Sequence, residues 1–416
     1  MGYYKNLQDI QSPYGFRYSG NKYVCLNCFS DYAIKAFIKD NADEQSCSFC
    51  GARSKDAIAA DLGEVIKFIM KGIISEYSNP DDENMDYDSD EGGYLGEVYQ
   101  TSEIFEDEIA TVIENDDLAA DISDSLLDQF WCRKDYYWLP EHQKLIFNWE
   151  QFSEQVKHRT RYVFLRLSAR SSEFVLEDPD EIPTSVMLDR LGRVLSETNL
   201  CRTLDSGHTF YRVRVHKRDE ICIGVAGCGP PLPEEATASG RMTPAGIVMF
   251  YGASDEKTAL VEKHHPDAEV MTCSKWKSLR TLRLLDLTNI PNLPSIYDPE
   301  RRAERPNIMF LWSFKEDLVK PPHGDKFEHV DYVPTQVFTE YIRYLYSDPR
   351  GNSFDGILYP SRKLPGHSNC VIFCDRQNCA EIDEDIDDES HKKKYLRLLA
   401  HKDIDNTEYS DYLSSL

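Results

Sequence analysis

The sequence predicts an α+β protein in which a small metal ribbon and a run of helices precede a mixed α/β domain. Three observations predict this. Two Cys-x-x-Cys pairs stand near the start, apolar residues recur at helical spacing over much of 56–199, and beyond residue 200 short runs of strand formers are interrupted by helix patterns. The expected divisions are a zinc-ribbon-like module at 1–55, a helical domain at 56–199 with an acidic linker near 80–91, an α/β domain at 200–380 and a charged tail at 381–416.

Cys25-Leu-Asn-Cys28 and Cys47-Ser-Phe-Cys50, eighteen residues apart, have the spacing of a four-thiolate zinc site. Each Cys-x-x-Cys turn brings two sulfurs to one ion, and two turns complete a tetrahedron. Filling all four positions with protein leaves none for water, so the zinc is expected to be structural. A redox dithiol is disfavoured because neither pair lies in a βαβ pattern. Between the pairs, Ala33, Ile34, Phe37 and Ile38 are spaced for a short helix.

From Asp56 to Ile74 the residues Ile58, Leu62, Val65, Ile66, Ile69 and Ile73 mark an amphipathic helix. Pro80 to Glu91 follows with seven acids in twelve residues, which reads as a solvated linker; Asp86, Asp88 and Asp90 are not in register for a calcium loop. Further helices are predicted over Ser102–Glu114 and Leu118–Trp131, around Trp149, Phe152 and Val156 ahead of the apolar Arg161–Leu167 stretch, and over Val186–Leu195.

The formal charge of −25 argues against electrostatic binding of nucleic acid, which needs clustered Lys and Arg. No run approaches the roughly 20 apolar residues of a membrane span, and Met1-Gly-Tyr-Tyr-Lys lacks a signal-peptide core, so a cytoplasmic protein with reduced thiols among its twelve cysteines is expected.

In the α/β part, Thr209–Val215 alternates as a strand with Arg212 and Arg214 on one face, and Ile247–Tyr251 is a buried-strand pattern closed by Gly252. Ser254 and Asp255 are caps for a helix over Glu256–His264. Leu282–Leu287 reads as a strand, Pro334 begins a helix, and Ile357–Tyr359 and Val371–Phe373 are closing strands. Glu381–Glu389 holds seven acids in nine residues, and with His391–Lys394 and Tyr395–Ala400 it reads as a solvated tail ending in a frayed helix.

Arg241, Tyr251 and Glu262, at intervals of ten and eleven, resemble the motif of the RES family, named for arginine, glutamate and serine. Phe210–Arg214, Asp355–Ser361 and Asn369–Phe373 are similar to the family's first strand and its serine and asparagine segments; Met242 stands where many members carry Trp. The resemblance covers roughly 200–375 and implies an ADP-ribosyltransferase-like fold that binds NAD and breaks its bond to nicotinamide. It also implies a toxin, held by an antitoxin or another regulatory protein, or a defence effector carrying its own sensor. The preceding helices resemble the HEPN-like domain found before RES in some bacterial proteins. HEPN ribonucleases pair an arginine with a histidine, but Arg202 and His208 flank a turn before a strand, the wrong setting for that site.

The same residues suit the chemistry directly. Breaking a nicotinamide riboside bond builds positive charge on the ribose, which calls for a nearby carboxylate, here Glu262. A pyrophosphate calls for guanidinium groups, here Arg212 and Arg241, and Tyr251 can stack on the departing ring. Ser361, outside any Gly-x-Ser-x-Gly elbow, and Asn369 are assigned to hydrogen bonds with the substrate. The acceptor stays open between water, phosphate and protein. The alternative reading is a nucleotide-sensing binding protein with an inactive RES domain.

Overall fold

The computed structural model describes residues 14–90, 92–165, 180–265, 267–385 and 393–415. They form two compact units, one of 14–142 with 292–306, the other of 143–291 with 307–415.

In the first unit, β1 (Tyr23–Cys25) pairs antiparallel with β2 (Ala59–Asp61), Cys25 opposite Ala59. The Tyr32–Asp40 helix starts at Asp31, whose carboxylate accepts from the Ala33 and Ile34 N–H groups. The helix predicted from Asp56 begins only at Leu62 (Leu62–Glu76), because Ala59–Asp61 is taken into β2 and Asp61 caps the helix through Glu64 N–H. Its apolar stripe of Leu62, Val65, Ile66, Ile69 and Ile73 is buried with Ile34 and Ile38. Truncating one such side chain to Ala is expected to destabilise this core by about 2–5 kcal/mol.

Short strands β3 (Tyr77–Ser78), β4 (Tyr87–Asp88) and β5 (Gly93–Tyr94) follow, and β4 pairs with β5, so Tyr87 and Asp88 of the acidic stretch are strand residues. After β6 (Tyr99–Gln100) the chain is helical from Thr101 to Val112, with a wide turn at Phe105–Ile109. The helix expected to reach Trp131 covers Asp116–Ser125 alone. The chain then enters β7 (Phe130–Arg133), which pairs with β3 and β6, and buried Trp131 donates through Nε1 to Thr101 Oγ1 at 3.0 Å. Cys25, Cys28 and Cys47 belong to the same core as these helices, as do Ile296 and Tyr297 from 292–306. The ribbon therefore shares its core with the helices that follow it.

The second unit is built on a nine-stranded sheet: β8 (Cys201–Leu204), β9 (Thr209–His216), β10 (Phe250–Ala253), β11 (Val270–Ser278), β12 (Leu282–Asp286), β13 (Gly356–Pro360), β14 (Ser368–Ile372), β15 (Cys379–Ala380) and β16 (Leu396–Asp405). The order is β15-β16-β11-β9-β10-β14-β13-β12-β8. Among the described residues only β12–β13 and β15–β16 run parallel. The strand predicted at Ile247–Tyr251 is shifted, with Gly252 inside β10 rather than ending it.

The expected tail is corrected by β16. Leu396, Leu398 and Ile404 are buried and the strand pairs with β11 along its length, with an irregularity at Lys275/Trp276. The Glu381–Glu389 run is described only to Asp385, and the Arg161–Leu167 stretch only to Leu165.

One face of the sheet carries Ile357, Val371 and Tyr359 against Phe310, Phe314, Phe338 and Ile342 from the helices Arg305–Val319 and Val333–Tyr344. The helices Glu141–Glu154 and Thr184–Thr198 bury Trp149, Phe152, Met187, Leu191 and Leu195 in that same core. The boundary expected at 199/200 thus falls inside this unit, since these side chains have their apolar partners in the α/β part.

Candidate active site

A cavity of about 1090 Å³ opens in the second unit where β9, β10, β13 and β14 meet the Glu256–Lys263 helix. That helix is fixed at its start by Asp255, which accepts from Thr258 N and Oγ1 and from His367 Nδ1 at 2.8 Å. Burial alone would raise the Asp255 pKa, but these donors, His367 foremost, outweigh it and bring it to about 2. At the other end, Lys363 Nζ donates to the carbonyls of Val261 and Glu262, a cation at a helix C-terminus.

Glu262 projects from this helix into the cavity lining. Its Oε1 accepts from Ser361 Oγ at 2.5 Å and from Asn369 Nδ2 at 2.9 Å. Ser361 and Asn369 are both buried, the first just beyond β13 and the second on β14. Two donors on one carboxylate oxygen hold its position. Ser361, expected to contact substrate, is not among the residues lining the cavity; its hydroxyl is engaged with Glu262 and so orients the carboxylate.

Arg212 on β9 donates through Nε to Cys228 O at 3.1 Å and through Nη1 to Tyr251 O at 2.8 Å. Burial, reinforced by Arg214, lowers its pKa to about 10, and it remains a cation at neutral pH. Arg241 sends Nη1 to the carbonyls of Leu318 (2.6 Å) and Lys320 (2.8 Å) and lies 4.8 Å from the centre of the Tyr332 ring. Arg212 Nη2 and Arg241 Nε and Nη2 have no hydrogen-bond partner among the described residues and remain for a ligand. Tyr251 is half-buried on β10; its hydroxyl accepts from Met242 N at 2.9 Å and lies 3.0 Å from Thr243 Oγ1, so the ring, not the hydroxyl, is what it offers the cavity.

Glu262, Arg241, Tyr251, Arg212 and Asn369 thus line one space. Sequence reasoning missed Arg214, Lys263, Arg362, Lys363 and Tyr359, which line it too. Arg214 was visible as the neighbour of Arg212 on the arginine face of β9, whereas Lys263, one residue from Glu262, carried no signal of its own. Lys263 is open to the cavity, yet the protein around it, and then Arg212, lower its pKa. Arg202 and His208 do not join the cavity lining: Arg202 on β8 pairs with Asp286 at 3.5 Å and His208 packs edge-on against Phe210.

The sulfurs of Cys25, Cys28, Cys47 and Cys50 all lie within 4.8 Å of one another. Cys25–Cys28, Cys25–Cys50 and Cys28–Cys47 are 4.0, 3.4 and 3.6 Å apart. A tetrahedral zinc with four sulfurs at about 2.3 Å sets them about 3.8 Å apart, so the donor set fits that ion. Burial opposes ionisation of Cys47, but the N–H groups of Cys50, Phe49 and Cys25 outweigh it and bring the thiol to about 7, while burial, foremost, raises the thiols of Cys25 and Cys28.

An α+β chain with a fixed carboxylate, an arginine-lined cavity and a tetracysteine cluster is the class defined so far. Comparison with known families makes it specific: residues 40–170 match HEPN/RES N-terminal domain 1 and residues 209–392 match the RES domain, so the chain carries a RES domain behind a HEPN/RES N-terminal domain. No curated protein and no solved structure matches it. Among the described residues no helix is long and apolar enough to cross a membrane.

Proposed function

We propose that the RES domain binds NAD and cleaves its nicotinamide–ribose bond, passing the ADP-ribosyl group to water, phosphate or a protein, and that the protein acts as a toxin or defence effector. The observation that carries this reading is the charge of the cavity. Six cationic side chains, Arg212, Arg214, Arg241, Lys263, Arg362 and Lys363, line it against three carboxylates, in a chain whose formal charge is −25. Such a local reversal suits a polyanion the size of a dinucleotide, and the volume is at the upper end of ligand pockets, about 300–1,000 Å³.

In the proposed reaction the bond between the ribose and the pyridinium nitrogen breaks, and its electron pair leaves with nicotinamide, which departs neutral. Glu262, fixed by Ser361 and Asn369, stabilises the ribosyl cation. The acceptor oxygen then bonds to the anomeric carbon and its proton passes to a base, for which Glu262 is the nearest candidate. Arg212 and Arg241 hold the pyrophosphate with their remaining N–H groups, and the Tyr251 ring stacks on the nicotinamide. The tetracysteine site, read as structural zinc, takes no part in these steps.

Incubating the full-length protein with NAD and following free nicotinamide tests the proposal. Release above the uncatalysed rate is expected. Tight NAD binding without release would replace the enzyme by a nucleotide-sensing module, and absence of both would end the NAD reading.

A further inference from the structure

Tyr359 is a cavity residue to which neither the motif nor the proposed reaction assigns a role. On the β13–β14 ladder it stands directly opposite Asn369, whose amide donates to Glu262. Directly opposed residues of an antiparallel pair project from the same face, their Cβ atoms about 4.5–5.5 Å apart. Tyr359 therefore lies beside the group that holds the carboxylate. Its side chain is buried, at 7% exposure, and it lines the cavity.

The hydroxyl has no hydrogen-bond partner among the described residues, and its oxygen is not among those sealed from solvent. Buried tyrosine hydroxyls are nearly always paired, so an unpaired one that still reaches a cavity points to a ligand as its partner. The contrast with Tyr251 is direct, since that hydroxyl is already engaged by Met242 and Thr243. Burial, with Tyr251 nearby, holds the Tyr359 phenol well above its usual pKa, so it stays a protonated donor.

We propose that Tyr359 is a substrate-contacting residue whose O–H donates a hydrogen bond to a hydroxyl of the ribose beside Glu262, fixing that sugar against the carboxylate. This rests on the NAD reading above. Ser361 and Asn369 then hold the Glu262 carboxylate, while Tyr359 holds the ribose itself in place.

The test compares the full-length parent with Tyr359→Phe, measuring binding and kcat/KM for NAD and for two analogues lacking the 2′- or the 3′-hydroxyl of the nicotinamide ribose. The phenylalanine variant removes only a hydroxyl that has no described protein partner, so its melting temperature should be unchanged or higher. Its kcat/KM for NAD should fall about tenfold, the worth of one neutral hydrogen bond. One deoxy analogue should be penalised in the parent and not further penalised in the variant. Equal kcat/KM in both proteins, equal deoxy penalties in both, or a lower melting temperature with unchanged ligand behaviour would overturn the assignment while leaving NAD cleavage standing. A parent that neither binds nor cleaves NAD would instead bring down the NAD reading, and the ribose contact with it.

Discussion

The tetracysteine cluster and the arginine-lined cavity are finished to different degrees. In the cluster four sulfurs face one another within 4.8 Å and three of the cysteines are buried, so every donor has its place and no position is left open. In the cavity one oxygen of the Glu262 carboxylate is held by two donors, while guanidinium nitrogens and the Tyr359 hydroxyl have no partner among the described residues. A closed donor set stabilises the fold around it, whereas unpaired donors around open space are completed by a ligand.

The largest effect is expected from removing the helices that cover the cavity unit's core. A chain beginning at Leu200 loses Trp149, Phe152, Met187, Leu191 and Leu195, all buried in the same core as side chains of the Arg305–Val319 and Val333–Tyr344 helices. It should show no cooperative melting by circular dichroism, and a sharp transition at the parental temperature would mean these helices are dispensable. Next comes Glu262→Gln, which keeps shape but removes the charge that the proposed reaction sets against the ribosyl cation. It should bind NAD as the parent does and lose about 100-fold or more in kcat. Single-turnover rates within a few-fold of the parent would remove Glu262 from the chemistry.

Arg212→Ala should weaken NAD binding about 10- to 100-fold by calorimetry, with Lys restoring only part of it because an ammonium lacks the guanidinium fork. Unchanged affinity would return Arg212 to a structural role through Cys228 and Tyr251. Ser361→Ala removes one of two donors to Glu262 Oε1, and its smaller effect, about tenfold, should fall on kcat rather than on NAD affinity. A loss in affinity with kcat preserved would restore the direct substrate contact expected for Ser361.

These differences track how far apart in the chain the cooperating residues lie. Cys25 and Cys28, and again Cys47 and Cys50, are three residues apart, and a local turn suffices to bring each pair to one ion, so the cluster was readable from spacing. Arg241, Tyr251 and Glu262 were readable from their intervals. Ser361 and Asn369 were visible as residues, but that both converge on Glu262, 99 and 107 positions away, depends on β14 lying beside β10, which no local pattern encodes. The β16 strand was missed because the charge around Glu381–Lys394 suggested a solvated tail and masked the alternation of Leu396, Leu398 and Ile404. The helix ends at Leu62 and Ser125 moved because neighbouring residues were claimed by β2 and β7. Local propensity does not record such tertiary pairing.

The central claim is that the closed site is structural and the open one chemical, and it is tested most directly by measuring metal content and nicotinamide release on the same samples of the parent and of Cys47→Ser. The account predicts roughly one zinc per parent chain and much less in the variant, with similar nicotinamide release per folded RES domain. Turnover that disappears with the zinc while the RES domain stays folded would place the metal in the chemistry and contradict the account.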